Sequence, residues 1–280
     1  MPVGSHDLVL IGHLSKDIII IDNERTASSV GGSVYYAAFA AKPAGIALLV
    51  ITKLAIQDYE MLADFWQHGL SVLPLFCSQT TVMEDIFEKQ NHYSRRSRVL
   101  SLASPFTAGD IPVKTAEIYL IAGLLYGEIP EPLIEDLSGR GKVALDAQTF
   151  LRRLDGDEVV HKDWGEKGMY LPLIDFLKAD MDEAKILTGE ESLDAILEKI
   201  HNWGVKEVMI TDNPGVTVSD GAGRLFAPFP SYKIESRSGR GDTCFASYLS
   251  WRIHHSPAES LDYAVQITGK KLQRPGPYFE

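Results

Sequence analysis

Short apolar runs alternate with helical patterns along most of the chain. Residues 8–11 and 18–21 are apolar runs around a polar turn, and they predict two early strands. Residues 33–42 follow a Gly-Gly pair and repeat apolar side chains at i, i+3, i+4 and i+7, the spacing of one helical face. The N-terminal part therefore predicts two strands followed by a helix.

The alternation continues to the C-terminus. Further buried strands are predicted at residues 46–52, 70–76, 118–121, 143–145 and 208–211. Further helices are predicted at residues 59–68, 192–203 and 242–254, and from residue 257 onward. Gly204 is expected to end the second of these, and Ser256 to Glu259 form a capping box before the last, which Pro275 stops.

Alternating strands and helices favour an α/β fold with a mostly parallel sheet. Residues 13–30 and 78–103 break the alternation, because they are strand-like with one polar face. Within the second segment, residues 80–87 and 97–102 can pair as an antiparallel ribbon. We therefore expect one domain, residues 1–280, with a small β lid built from these two segments.

Composition and charge narrow the function classes. The chain has 280 residues, 45% hydrophobic and 23% charged, as in ordinary soluble globular proteins. The formal net charge is −11, and an acidic chain repels nucleic-acid backbones. Cys77 and Cys244 form neither a disulfide framework nor a metal-ligand pattern, so a cytosolic location is expected. The sequence predicts no membrane span and no signal peptide.

The segment Gly239-Arg240-Gly241-Asp242 is the most informative about chemistry. A Gly-x-Gly turn entering a helix leaves backbone N–H groups unpaired and pointing one way, which forms an anion site. An aspartate beside bound phosphate can accept a proton from an attacking hydroxyl, while the amides stabilise the transferred phosphoryl group. A glycine turn with Asp242 as an ordinary N-cap explains the pattern equally well. The chain has no Walker loop, so any phosphotransferase is of another type.

This segment, together with the pair Gly31-Gly32, resembles the ribokinase-like (PfkB) family of sugar kinases. The resemblance extends over essentially the whole chain. It implies a three-layer α/β sandwich with a mostly parallel central sheet and a small β lid. It also implies transfer of the γ-phosphoryl group of ATP to a sugar or polyol hydroxyl.

Roles for individual residues follow from the resemblance. The residues matching the family's substrate site are Asp17, Gly31, Gly32 and Asp146. Asp242 matches the catalytic base, and Gly239, Arg240 and Gly241 match the anion-binding turn around it.

Cofactor residues are implied in the same way. The family's N-x-x-E motif, which organises Mg²⁺ and phosphates, corresponds to Asp180 through Glu183, with aspartate in place of asparagine. Glu183 is expected to place Mg²⁺ through water. Thr211, Asp212 and Gly215 match the nucleotide-binding stretch, and the last helix is expected to shape the adenine pocket. ATP and Mg²⁺ are the expected cofactors, and a monovalent cation is a further candidate.

A narrower resemblance points to the myo-inositol kinase branch. It rests on residues 12–17, 146–148, 163–164, 237–244 and 274–277. Ser33 and the residues after it replace the Lys-Gly-x-Asn of ribokinases, so the asparagine that contacts ribose is missing. Myo-inositol is therefore the expected acceptor, and another sugar or a nucleoside is the alternative.

Two other classes of protein were weighed. A dinucleotide-dependent oxidoreductase needs G-x-G-x-x-G after the first strand, and Gly12 to Asp17 does not supply it. A non-catalytic sugar or nucleotide sensor on the same fold stays open, because a fold does not determine a function. The expected partners are a small polyol or sugar and ATP, with no nucleic acid and no membrane. The lid is expected to close over the polyol or to form a homodimer contact.

Overall fold

The computed structural model describes residues 6–22, 24–88, 91–230 and 234–279. Residues 1–5, the start of the segment for which the sequence predicts no signal peptide, lie outside the described residues, as do Asn23 and residues 89–90 of the predicted lid. No described helix is long and apolar enough to cross a membrane.

The predicted strands are all present, and five further strands, over residues 152–155, 158–161, 176–180, 215–219 and 224–228, were not predicted. In chain order, the strands are β1 (His6–Ile11), β2 (Ser15–Ile21), β3 (Glu24–Gly31), β4 (Leu48–Ala55), β5 (Ser71–Cys77), β6 (Thr81–Glu88), β7 (Asn91–Ser101), β8 (Ala116–Ile121), β9 (Lys142–Asp146), β10 (Arg152–Asp155), β11 (Glu158–His161), β12 (Phe176–Asp180), β13 (Glu207–Thr211), β14 (Gly215–Ser219) and β15 (Arg224–Pro228).

The α-helices lie between these strands or after them. They are α1 (Ser33–Ala41), α2 (Ala63–Gln67), α3 (Pro132–Ser138), α4 (Gln148–Leu151), α5 (Lys167–Tyr170), α6 (Met181–Thr188), α7 (Leu193–Asn202), α8 (Arg240–Arg252) and α9 (Pro257–Leu272). The predicted capping box of α9 is present, with the Ser256 and Glu259 side chains each accepting a backbone N–H of the other residue.

Within the described ranges, the strands form two sheets. The central sheet has nine strands in the order β15-β14-β13-β12-β9-β8-β1-β4-β5. It is parallel from β13 to β5, and the hairpin β14-β15 adds two antiparallel strands at one edge. With helices on both faces, this is the predicted three-layer α/β architecture.

Side chains of β1 alternate between the two helical layers. Leu8 and Leu10 are buried in a cluster with residues of α1, α8 and α9. Val9 and Ile11 are buried in a second cluster with residues of α3, α6 and α7. Because successive side chains of a strand point to opposite faces, one apolar strand supports both layers.

The second sheet contains the predicted lid segments. Its six strands have the order β10-β11-β7-β6-β2-β3 in the described part of the chain. The prediction that both segments form strands outside the main sheet is confirmed, including the antiparallel pairing of β6 with β7. The hairpin β10-β11 was not predicted, although its two-residue turn Gly156-Asp157, with φ of 63° at Gly156, is a known hairpin signal.

The predicted helix over residues 59–68 is only partly correct. The chain forms a 3₁₀-helix at Ile56–Leu62, and a short α2 follows. In the 3₁₀ stretch, Asp58 accepts hydrogen bonds of 2.5 Å from Lys16 and from Thr80, which lie on or beside the second sheet. These tertiary contacts outweigh the local helical preference.

A buried cluster joins the two sheets where β1 ends. The His13 ring lies 3.2 Å from the Thr81 hydroxyl, at the start of β6, and 3.1 Å from the Ser104 carbonyl, after β7. Glu128 accepts the backbone N–H of His13 at 2.7 Å and that of Leu124 at 2.8 Å. The carboxylate therefore fixes the segment from which the second sheet departs.

This arrangement predicts the effect of Glu128→Gln. The new amide group can accept only one of the two N–H groups, so a buried donor loses its partner at a cost of about 1–3 kcal/mol. We expect a lower midpoint in thermal unfolding, while Glu117→Gln, on an exposed position of β8, leaves it unchanged. Equal midpoints for the two variants would contradict the role given to Glu128.

Candidate active site

Three neighbouring strands end in polar residues at one edge of the central sheet. Asp146 ends β9, Asp180 ends β12 and Thr211 ends β13. The pairing places Lys178 beside Asp146 and Asp180 beside Thr211. Ligands of open α/β sheets bind outside the carboxyl ends of the strands, so this edge is the candidate site.

The turn entering α8 has the conformation that the glycine motif predicts. Gly239 is the N-cap residue with φ of 71°, in the left-handed region. No described side chain forms a capping hydrogen bond there. The Arg240 N–H donates to the Arg237 carbonyl at 3.2 Å, so the amides that an anion would meet are those of Gly241 and Asp242. A Cβ on Gly239 would lie 2.2 Å from ring carbons of Tyr36, so both backbone conformation and space require glycine.

Asp242 lies in the first turn of α8 and is not its cap. Gly239 occupies the N-cap position, which makes Asp242 the third helical residue. The interpretation of Asp242 as an ordinary N-cap is therefore wrong, since the cap position requires the left-handed backbone that glycine supplies.

Lys178 lies in the middle of this group and was missed by the sequence reasoning. Its side chain is 6% exposed, and Nζ lies 3.1 Å from both carboxylate oxygens of Asp146 and 3.5 Å from Oε2 of Glu183. A Cβ on Gly241 would lie 3.0 Å from the same Nζ, so the ammonium is directly against the anion-binding turn. The only sequence signal was one lysine inside the otherwise apolar run 176–179.

Electrostatic shifts reflect this crowding of charge. Burial raises the pKa of Asp146, and the carboxylates of Glu183 and Asp242 raise it further, while Lys178 opposes the shift. Burial works against the charged form of Lys178, but Asp146 and Glu183 together raise its pKa above the ordinary value. The neighbouring carboxylates therefore favour the charged form of Lys178.

Asp180 and Glu183 form a reciprocal capping box at the start of α6. Asp180 Oδ1 accepts the Glu183 N–H at 2.8 Å, and Glu183 Oε2 accepts the Asp180 N–H at 2.8 Å. Among the described residues, no group of three or more His, Cys, Asp or Glu side chains could hold a metal ion. A direct protein cage for Mg²⁺ is thus absent from the described part of the chain.

Gly31, Gly32 and Asp17 meet at the second sheet. Ser15 donates a hydrogen bond of 2.6 Å to Asp17 Oδ1, and a Cβ on Gly31 would lie 1.9 Å from the Asp17 carboxylate. Gly32 has φ of 100° and begins α1. The backbone therefore approaches the aspartate more closely than any other residue type permits.

Tyr36 connects this side of the site to Asp242. Burial is the main cause that raises the pKa of Tyr36, and Asp17, Asp242 and Asp85 raise it further. Asp85, on β6, accepts a hydrogen bond of 2.5 Å from Ser97 and was not singled out from the sequence. Three carboxylates, from β2, β6 and α8, thus act electrostatically on the Tyr36 hydroxyl.

The residues matched to nucleotide binding lie beside the anion-binding turn. Asp212 donates its N–H to the Gly215 carbonyl at 2.9 Å, closing the turn between β13 and β14. Burial and Arg237 lower the pKa of Arg240, and the carboxylates of Asp180 and Asp212 oppose this. Arg240 is therefore within electrostatic reach of both aspartates.

Fold and site together define a phosphotransferase. An uncapped helix N-terminus, a buried lysine and a first-turn carboxylate meet at the carboxyl edge of a parallel sheet. The family model for the pfkB family carbohydrate kinases matches residues 99–279. The chain belongs to this family, and it is an enzyme that transfers a phosphoryl group to an alcohol group.

Three individual relatives share between 24% and 34% of their aligned residues with this chain. A solved pyrophosphate-dependent kinase of the ribokinase family, in complex with a pyrophosphate analogue and myo-inositol, is 34% identical, with a TM-score of 0.90 and 97% of each chain covered. The cytidine kinase of Thermococcus kodakarensis is 27% identical, covering 90% of this chain and 91% of that protein. An inositol 3-kinase of Oryza sativa subsp. japonica is 24% identical, covering 90% of this chain and 65% of that protein.

The crowding at Gly239 yields a matched test. Gly239→Ala and Gly45→Ala place a side chain on backbones with nearly equal φ of 71° and 70°, but no described atom would lie within 4 Å of the Cβ at residue 45. Both changes carry a left-handed strain of about 1–2 kcal/mol. Only Gly239→Ala displaces the turn, and we expect it to lower kcat/KM by about 100-fold or more.

Steady-state kinetics and thermal unfolding of the two variants provide the measurement. If Gly239→Ala and Gly45→Ala keep similar kcat/KM, contact between the turn and Tyr36 does not matter for the reaction.

Proposed function

We propose that this enzyme transfers a phosphoryl group to a hydroxyl of an inositol, with Asp242 as the general base. The observation that carries the proposal is the position of Asp242. Its carboxylate lies in the first turn of α8, within electrostatic reach of Lys178, Asp146 and Tyr36. It therefore acts both on the buried charges beside the anion-binding turn and on the tyrosine that the carboxylates of the second sheet also reach.

The acceptor in this proposal is a neutral polyol. Asp17, Asp85 and Asp242 all act on Tyr36, and such a concentration of negative charge accepts hydrogen bonds from hydroxyl groups but repels a phosphate on the acceptor. The myo-inositol of the 34% identical structure and the rice inositol 3-kinase support an inositol. The cytidine kinase supports a nucleoside as the alternative acceptor.

The proposed step moves one proton and one phosphoryl group. The acceptor hydroxyl gives its proton to Asp242 as its oxygen forms a bond to phosphorus. The bond from phosphorus to the bridging oxygen of the donor breaks, and the rest of the donor leaves as an anion. The first-turn amides of α8, Arg240 and Lys178 stabilise the negative charge on the oxygens of the transferred group.

For the donor, we propose pyrophosphate, and ATP, which the family resemblance implies, is the competing donor. Glu235 donates its N–H to the Leu272 carbonyl at 2.8 Å, and Arg237 donates to the Asn213 side chain at 3.1 Å. The segment before α8 is therefore tied both to α9 and to the turn after β13, across the region expected to hold adenine. The pyrophosphate-dependent kinase at 34% identity supports the smaller donor.

Mg²⁺ fits this site as an ion bound mainly by the donor. Mg²⁺ keeps several waters and binds proteins through one or two carboxylates plus phosphate oxygens. Glu183, through water, and Asp180 are the proposed protein partners, in agreement with the lack of a protein cage among the described residues. When bound, Mg²⁺ supplies charge neutralisation on the phosphates.

The second sheet is proposed to close over the polyol as a lid. Contact between two copies through the same sheet is the other arrangement open to it. Hydrogen exchange in the presence of both substrates, together with the mass in solution, separates the two.

Substrate panels test the acceptor and the donor separately. With Mg²⁺ and pyrophosphate, we expect myo-inositol to give a higher kcat/KM than cytidine, ribose or fructose 6-phosphate, measured as orthophosphate release above the acceptor-free rate. The same panel with ATP is followed by ADP release. Turnover with ATP as donor but not with pyrophosphate would overturn the proposed donor. A higher kcat/KM for cytidine than for myo-inositol would overturn the proposed acceptor.

Asp242→Asn tests the proposed base. Since Asp242 is not the helix cap, we expect the variant to fold and to bind the donor as well as the wild type, or better, because a negative charge is removed. We expect kcat to fall by about 10²–10⁴-fold, the usual range for a positioned acid–base group. Asp194→Asn, in the first turn of α7, is the control with unchanged kcat. A folded Asp242→Asn variant with wild-type kcat would exclude Asp242 as the base.

A further inference from the structure

Lys271 is a buried cation that the proposed reaction does not yet use. It lies in the last turn of α9, and the residue is 0% exposed. A buried ammonium is costly unless polar groups compensate for the water it loses. Its Nζ donates a hydrogen bond to the Ser238 carbonyl and lies 5.4 Å from the centre of the Tyr36 ring.

Both of these contacts are made to neighbours of the anion-binding turn. Ser238 directly precedes Gly239, whose Cα is pressed against the Tyr36 ring. The Leu272 carbonyl accepts the Glu235 N–H at 2.8 Å, so the end of α9 holds the same segment at a second point. The ammonium therefore contacts the turn at its first carbonyl and the ring that the turn rests on.

The surroundings leave the charge of Lys271 dependent on pH. Burial lowers its pKa to about 8, and the Asp242 carboxylate opposes that shift. A cation whose pKa is lowered in this way is protonated below about pH 8 and becomes neutral above it. The charged and titratable groups on the elements packed against this end of α9 include Arg240, Asp242 and Cys244 of α8, Tyr36 of α1, and Glu235 and Arg237 of the segment before α8.

We propose that Lys271 is a positioning residue whose ammonium holds the Ser238 carbonyl against the Tyr36 ring, so that the amides of the turn and Asp242 keep the geometry that phosphoryl transfer needs. This inference rests on the proposed function, because its effect is measured as the rate of phosphoryl transfer. It adds to that function a residue that is proposed to contact neither substrate. Deprotonation of Lys271 weakens the bond to the carbonyl and removes the positive charge beside Asp242. Turnover then falls as pH rises above about 8.

Lys271→Met removes the charge and keeps most of the side-chain volume. We expect kcat to fall at least tenfold at pH 7, and the alkaline decrease of the wild type to disappear. Because the buried charge opposes folding, the variant should melt at the wild-type temperature or higher. Lys270→Met, on the exposed neighbouring position of the same helix, is the matched control and should keep the wild-type pH profile.

A purely structural lysine gives a different pattern. Activity would then fall only together with the melting temperature, and the alkaline decrease would persist in Lys271→Met. Either result overturns the proposal, as does a Lys271→Met variant with wild-type kcat. Lys271→Arg keeps a cation at every accessible pH, so it should retain activity at pH 9 if the charge is what matters.

Donor binding separates this inference from the proposed function. Stabilisation by pyrophosphate, measured as the shift in melting temperature, should be smaller at pH 9 than at pH 7 in the wild type and should not change with pH in Lys271→Met. If the wild type transfers no phosphoryl group but shows this pattern, the proposed reaction fails and the role of Lys271 stands. If the shift in Lys271→Met depends on pH as in the wild type, the role of Lys271 is excluded.

Discussion

The buried ammonium of Lys178 is the constraint around which the candidate site is built. Its Nζ lies 3.1 Å from both oxygens of Asp146 and 3.5 Å from Glu183, with Gly241 directly against it. Three carboxylates within this small volume would repel one another without a central cation. The ion pair therefore joins the ends of β9 and β12 to the start of α8, and it fixes the three elements that form the phosphate side of the site.

Charge is divided across the site in a way that matches the proposed chemistry. On one side lie the Gly241 and Asp242 amides of α8, Lys178 and Arg240, which suit phosphate oxygens. On the other side lie carboxylates of the second sheet around Tyr36, which suit hydroxyl groups. Asp242 acts on both groups, and in the proposed reaction its carboxylate takes up the proton of the acceptor hydroxyl.

Local patterns in the sequence predicted most of the fold. Buried strands of a parallel sheet are short apolar runs, and Gly32 and Gly239 stand where left-handed backbone begins a helix. Lys178, Asp85 and Lys271 were not predicted because each is one charged residue whose hydrogen-bond partner is distant in sequence. The partner of Lys178, Asp146, is 32 positions away, and that of Lys271, Ser238, is 33. Only the folded sheet and the packing of α8 on α9 bring these groups together.

The most direct test of the account follows both phosphorus atoms of the donor. In ³¹P NMR of the wild-type enzyme with Mg²⁺, pyrophosphate and myo-inositol, the account predicts that a phosphomonoester and orthophosphate appear in equal amounts as pyrophosphate disappears. Orthophosphate alone would show that water is the acceptor, and an unchanged spectrum would show that pyrophosphate is not the donor. Either result would contradict transfer from a pyrophosphate bound at the anion-binding turn to a polyol held by the carboxylates of the second sheet.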